Sequence, residues 1–171
     1  MARIPYADPS NPDIAPLVKR IVGQRGKLLN LYGMLIHSPP VAEGWLAFLT
    51  AIRQNCSLSA RIRELAIMRI AVINGADYEF HAHTPFALAE GITEQQIDSL
   101  REGRDDLFNE VERAVLSYTD SMTREIHVPQ ATFDAVKTHF NDRELVELTA
   151  TVGAYNLVSR FLEAMQIDHD K

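Results

Sequence analysis

Apolar residues recur along this chain at steps of three and four, and no stretch alternates apolar and polar over a strand's length. That spacing restricts the chain to packed helices. Ile14, Leu17, Val18, Ile21 and Val22 occupy one face of a first helix, which Gly23 and Gly26 are expected to end. Leu28 to Ile36 forms a second, closed by His37-Ser38-Pro39-Pro40, where the prolines stop one helix and can open the next. Val41 to Ile52 is the third and carries Trp45. Ser57 is expected to cap a fourth helix running to about Ile73. Asn74-Gly75 ends it, because glycine takes the left-handed conformation without a Cβ penalty. A fifth helix runs from about Asp77 to Ala89, ended by Gly91. Thr93 with Gln96 is a capping box for a short sixth. Glu110 to Met122 is a seventh and Gln130 to His139, after Pro129, an eighth. Asn141 with Glu144 is a second capping box, opening a long ninth helix to about Met165. Short β-rich runs such as Ile70 to Ile73 lie inside helical periodicity. The predicted fold is all-α: a single-domain helical bundle of roughly nine helices, with an extended N-terminal arm over 1–12, one domain over 13–171 and a core motif at about 57–100.

A chain of 171 residues can bury a sizeable core without a disulfide or metal. Its apolar share of 46% and charged share of 23% are those of an ordinary globule. The formal net charge is −6, with no basic block, which argues against nucleic acid or an anionic membrane as partner. There is no apolar run long enough to span a bilayer and no signal-peptide pattern at the N-terminus, so a cytoplasmic protein is expected. The single cysteine, Cys56, excludes an intrachain disulfide, a Cys-x-x-Cys redox pair and a zinc site built on several thiolates.

Two places carry chemistry. The fourth helix is apolar nearly all round after its first turn, yet Glu64 is embedded in it, with Ile67, Met68 and Ala71 on its face and Arg61 one turn back. Such a carboxylate either pairs with a cation, from Arg61 or a neighbouring helix, or has a raised pKa. The fifth helix begins Asp77-Tyr78-Glu79-Phe80-His81-Ala82-His83. Glu79 and His83 share a face and can hydrogen-bond as an acid/base unit, while Tyr78 and His81 share the adjacent one. The structural alternative is an acid-decorated helix start with a histidine satisfied in the core. A metal would need a further ligand, from His37, His127 or His139, and no spacing points to one; no metal or organic cofactor is expected.

The segment from Arg63 to His83 resembles the signature of the carboxymuconolactone decarboxylase / alkylhydroperoxidase D-like superfamily. That signature is a Glu on one helix, two positions three apart at the start of the next, and a His four residues on: here Glu64, Ala76, Glu79 and His83. The redox branch has cysteines at the two middle positions, activated by the Glu and the His. With Ala76 and Glu79 there, this chain looks like the decarboxylase-type branch. The resemblance extends over Leu31 to Pro40, Glu43-Gly44-Trp45 and Ala87 to Thr93, and more weakly over Tyr155 to Phe161.

The resemblance implies cofactor-free acid/base decarboxylation, or related lyase or isomerase chemistry, on a small carboxylated lactone or keto acid. His83, Glu79 and Glu64 are the catalytic candidates: Glu79–His83 as the proton-delivery unit and Glu64 as an acid that donates a hydrogen bond or relays a proton. Tyr78, His81, His37, Trp45 and Asn156 are the candidate substrate contacts, and Arg61, Arg63, Arg69 and Arg160 the candidate carboxylate anchors. Two alternatives remain: an alkylhydroperoxidase-like antioxidant protein, disfavoured by the two missing cysteines, and a non-catalytic oligomeric small-ligand binder. The resemblance also implies a homo-oligomer, trimer or hexamer ahead of dimer.

Overall fold

The computed structural model describes residues 1–170, and every regular element among them is helical. In chain order these are α1 (Ala15–Arg25), α2 (Asn30–Leu35), α3 (Pro39–Thr50), α4 (Ala60–Asn74), α5 (Asp77–Ala89), α6 (Glu94–Arg101), α7 (Glu110–Arg124), α8 (Gln130–Lys137) and α9 (Asp142–Met165). A π-helical turn, Ala51–Asn55, continues α3. The all-helical architecture is the one the periodicity predicts.

The chain divides into two compact units, residues 1–55 with 162–171 and residues 56–161. In the first, α3 packs on α1 and α2. The N-terminal arm is tied down there by main-chain bonds. Arg3 N–H donates to the Met165 carbonyl and Ala7 N–H to that of Gly33, while Asp168 accepts from the Ala2 amide and the Tyr6 hydroxyl. His37 and Trp45 belong to this unit. A His37 ring nitrogen lies 2.8 Å from the Pro5 carbonyl oxygen, and Trp45 is buried on α3.

The second unit is built around α4, which packs on α5, α6 and α7. Leu65, Ile67, Met68 and Ile70 on this helix have no exposed surface, and each such burial contributes roughly 2 kcal/mol. Leu65, Met68 and Ala71 join Ala76, Phe80 and Ala87 of the α5 segment, Ile92, Ile97 and Leu100 around α6, and Phe108 and Leu116 near α7 in one core.

Local rules set most helix ends. Thr93–Gln96 and Asn141–Glu144 close the capping boxes read from the sequence, and Asn109–Glu112 forms a third. Gly75 ends α4 at φ 64°, in the left-handed region. Two expectations are corrected. Gly23 lies inside α1, and Gly26, at φ 81°, is where that helix stops. Ser57 is not the cap of α4. Ser59 is, accepting from the Ile62 amide. Ser57 instead donates its own amide and hydroxyl to Glu147 of α9, whose carboxylate also takes the Leu58 amide. A long-range partner thus displaced the cap that spacing alone favoured.

Candidate acid/base site

The site arises where α4 turns back on itself into α5. The Gly75 amide donates to the Val72 carbonyl and the Ala76 amide to that of Ala71, a tight αL closure that satisfies two of the terminal carbonyls of α4. The reversal is short enough to lay α5 along α4. Glu64, three turns back from the end of α4, therefore meets His83 near the middle of α5. His83 Nδ1 lies 2.6 Å from Glu64 Oε2. Glu64 is 1% exposed and His83 7%. A buried charge-assisted bond of this length is strong and directional.

Glu64 has a second cation. Arg63 Nε donates to Glu64 Oε1 at 3.3 Å, so each carboxylate oxygen faces a different nitrogen. Arg61, the sequence's candidate partner for Glu64, is engaged elsewhere: its Nε bonds Glu112 of α7 at 2.7 Å, and its other nitrogens reach Gln96 and the Glu90 carbonyl.

Rings fix the imidazole on its other sides. Tyr155 of α9 meets His83 edge-on, with centroids 5.1 Å apart and planes at 87°. Phe86, on α5 itself, lies 5.9 Å away, tilted. Neither was singled out from the sequence. Tyr155 carried a usable signal. Leu148, Val152, Tyr155, Ser159 and Leu162 follow i, i+4, i+7, i+11 and i+14, and all are buried, so the aromatic member of that stripe must face a helix partner.

The other candidates fall in different places. Glu79 is one turn before His83 on the same helix and 1% exposed. The hydrogen-bond partner at His83 Nδ1 is Glu64, not Glu79. Tyr78 is buried and His81 exposed. Asn156 is a joint between helices: it accepts from Asn74 of α4 and from Arg160, and donates to Thr123 of α7. Arg69 holds Asp120 of α7 through two bonds of 2.6 Å, and this pairing raises the Arg69 pKa. A cavity of about 260 Å³ opens at the start of α5, lined by Ala71, Val72, Gly75, Asp77, Phe80 and Arg101; Glu64, Glu79 and His83 are not among its walls.

Thiol chemistry has a poor foothold. Cys56 precedes α4 and lies outside the Glu64–His83 contact. Burial, followed by the nearby Glu147 charge, pushes its thiol above the ordinary range. A nucleophilic cysteine needs the opposite shift. Among the described residues, no group of three or more His, Cys, Asp and Glu side chains is placed to hold a metal ion.

Known proteins resemble this chain in sequence and in fold. Residues 39–121 match the model of the carboxymuconolactone decarboxylase family. An uncharacterized protein of Bacillus subtilis, YdfG, is 28% identical over 115 residues, covering 66% of this chain and 78% of its own. An uncharacterized peroxidase-related protein from a Silicibacter species superposes with a TM-score of 0.84 at 19% identity, over 98% of this chain and 90% of that one. The debrominase Bmp8 superposes with a TM-score of 0.81 at 17% identity, over 99% and 94%. At such identities the two structures speak for the fold. Over residues 39–121 the chain is thus similar to the carboxymuconolactone decarboxylase family, and its fold is the alkylhydroperoxidase D-like one.

Proposed function

We propose that this chain is a decarboxylase-type member of its superfamily, acting without a cofactor on a small carboxylated lactone or keto acid. The buried Glu64–His83 contact carries the reading. A carboxylate on Nδ1 holds the imidazole in one tautomer and stabilises its protonated form, which leaves Nε2 as the proton-transferring atom. In the reaction, the bond to the departing carboxylate breaks and its electron pair remains on the substrate as an enolate. Nε2–H of the imidazolium then protonates the carbon, and solvent restores the proton. Glu64 stays ionised throughout, because one oxygen accepts from Arg63 Nε–H and the other faces Nδ1. Glu79 is the second carboxyl group on the His83 face and the candidate partner for the substrate end of the transfer.

Ala76 and Glu79 at the two middle motif positions, and a Cys56 thiol pushed up by burial, support proton transfer over peroxide reduction. Bmp8 is a debrominase, so chemistry other than peroxide reduction is found on this fold. We also take the protein to be a cytoplasmic homo-oligomer, trimer or hexamer ahead of dimer, without nucleic-acid or membrane partners. No helix among the described residues is long and apolar enough to cross a membrane.

The test is CO₂ release from a panel of carboxylated lactones and β-keto acids. His83→Ala is expected to lower turnover on the accepted substrate by about 100-fold or more. Equal turnover in this variant, or peroxide reduction that Cys56→Ala abolishes, overturns the assignment.

A further inference from the structure

We propose that Arg63 is a positioning residue that sets the protonation of the Glu64–His83 pair, an inference that rests on the acid/base reading above. The arginines of α4 do two different jobs. Arg61 and Arg69 reach across to α7, binding Glu112 and Asp120. Each ties two helices together. Arg63 instead bends back onto its own chain neighbour, Glu64. Adjacent residues on a helix point about 100° apart and do not face each other by default, so this contact joins no two elements and makes no sense as a cross-link. Its side chain is nonetheless largely withdrawn from water, at 14% exposed, and the carboxylate it meets is 1% exposed.

The consequence is electrostatic. Glu64 lies in an apolar stretch of α4, where an uncompensated carboxylate would take up a proton. Arg63 at Oε1 supplies a permanent positive charge that opposes proton uptake by the pair as a whole. A fixed positive charge there favours the deprotonated pair, and a catalyst of this kind must give up and regain a proton each cycle. The His83 ring also meets Tyr155 from α9 and Phe86 along α5, and Glu79 lies one turn back on the same helix. With Glu64 held ionised, the midpoint reads proton uptake at His83.

The test follows the His83 ring nitrogens by ¹⁵N NMR across pH in the intact protein. Removing a positive charge at this distance raises proton affinity, so Arg63→Met is expected to move the midpoint about one pH unit upward, or tenfold in affinity. Arg63→Lys is expected to restore most of the wild-type midpoint, and Arg61→Met to leave it in place. An unchanged midpoint in folded Arg63→Met overturns the proposal. If Arg63→Met does not fold, Arg63→Gln decides in the same way, and loss of the fold in both also overturns it, because no structural duty is assigned to this side chain. Glu64→Gln separates the two levels. If it leaves the His83 titration unmoved, the acid/base unit itself fails. If it lowers the midpoint while Arg63→Met does nothing, only the role of Arg63 fails.

Discussion

Helix α4 carries two largely buried ionic contacts that look alike and behave differently. Arg69 presents two guanidinium nitrogens to both oxygens of Asp120, each at 2.6 Å. Both carboxylate oxygens of Asp120 are taken up by one guanidinium, and an arginine does not titrate in any physiological range. Glu64 divides its oxygens between an arginine and a histidine, and the histidine is the one side chain built to gain and lose a proton near neutrality. Both contacts link α4 to a neighbour or to itself in the same core. A saturated fork makes a fastener, whereas a shared carboxylate with a titrating partner makes a site. Burial alone does not distinguish them; the chemistry of the second partner does.

Substitutions can break this contrast. The largest effect is expected from Arg69→Met, which leaves Asp120 beside an apolar core. Because Asp120 is 29% exposed in its side chain, the loss should fall below that of a fully buried pair, at about 2–3 kcal/mol. Urea unfolding measures it, and the His83 titration should not move. A shift there would make the fastener part of the site. Next comes Glu64→Gln, which keeps the shape and removes the charge. It should cost about 1–2 kcal/mol, because the amide NH2 must face a nitrogen of Arg63 or His83, and it should lower the pH at which His83 takes up its proton. A large stability loss with an unmoved titration would make Glu64–His83 a second fastener.

The smallest effect concerns Cys56, which the contrast leaves outside the chemistry. Its thiol is pushed up by burial and by Glu147. The sign follows directly: a raised pKa means less thiolate at any pH below it, hence slower alkylation. Iodoacetamide should therefore react with Cys56 several-fold more slowly than with glutathione at pH 8, with the rate climbing only at higher pH. A rate profile that rises below that of the free thiol would reopen thiol chemistry.

Particular residues show why part of this was readable in advance. Thr93–Gln96 and Asn141–Glu144 were legible as helix starts because a capping box is closed by groups three residues apart. Glu64, Glu79 and His83 stood out because a charge on an apolar face violates the pattern around it. Ser57 misled, since its best partner, Glu147, comes from a helix far along the chain. Asn156, a candidate substrate contact by its place in the motif, also bonds Asn74 of α4 and Thr123 of α7, partners that come only from other helices. Helical spacing favours Glu79 at i−4, but the imidazole turns toward α4, where Glu64 offers a carboxylate with a second cation behind it.

What the amino-acid sequence determined by itself is therefore the local part: an all-helical chain, its caps and breaks, the two helices that bear the motif, and a single cysteine outside them. Period, capping and composition act over a few residues, and they survive without tertiary context. The tertiary structure decided the pairing. The αL turn at Gly75 lays α5 along α4 and brings Glu64 to His83, and α9 brings Tyr155 edge-on to the ring. Which carboxylate holds the histidine, and which arginine stands behind it, depends on distances across helices. No periodicity within one helix encodes those distances.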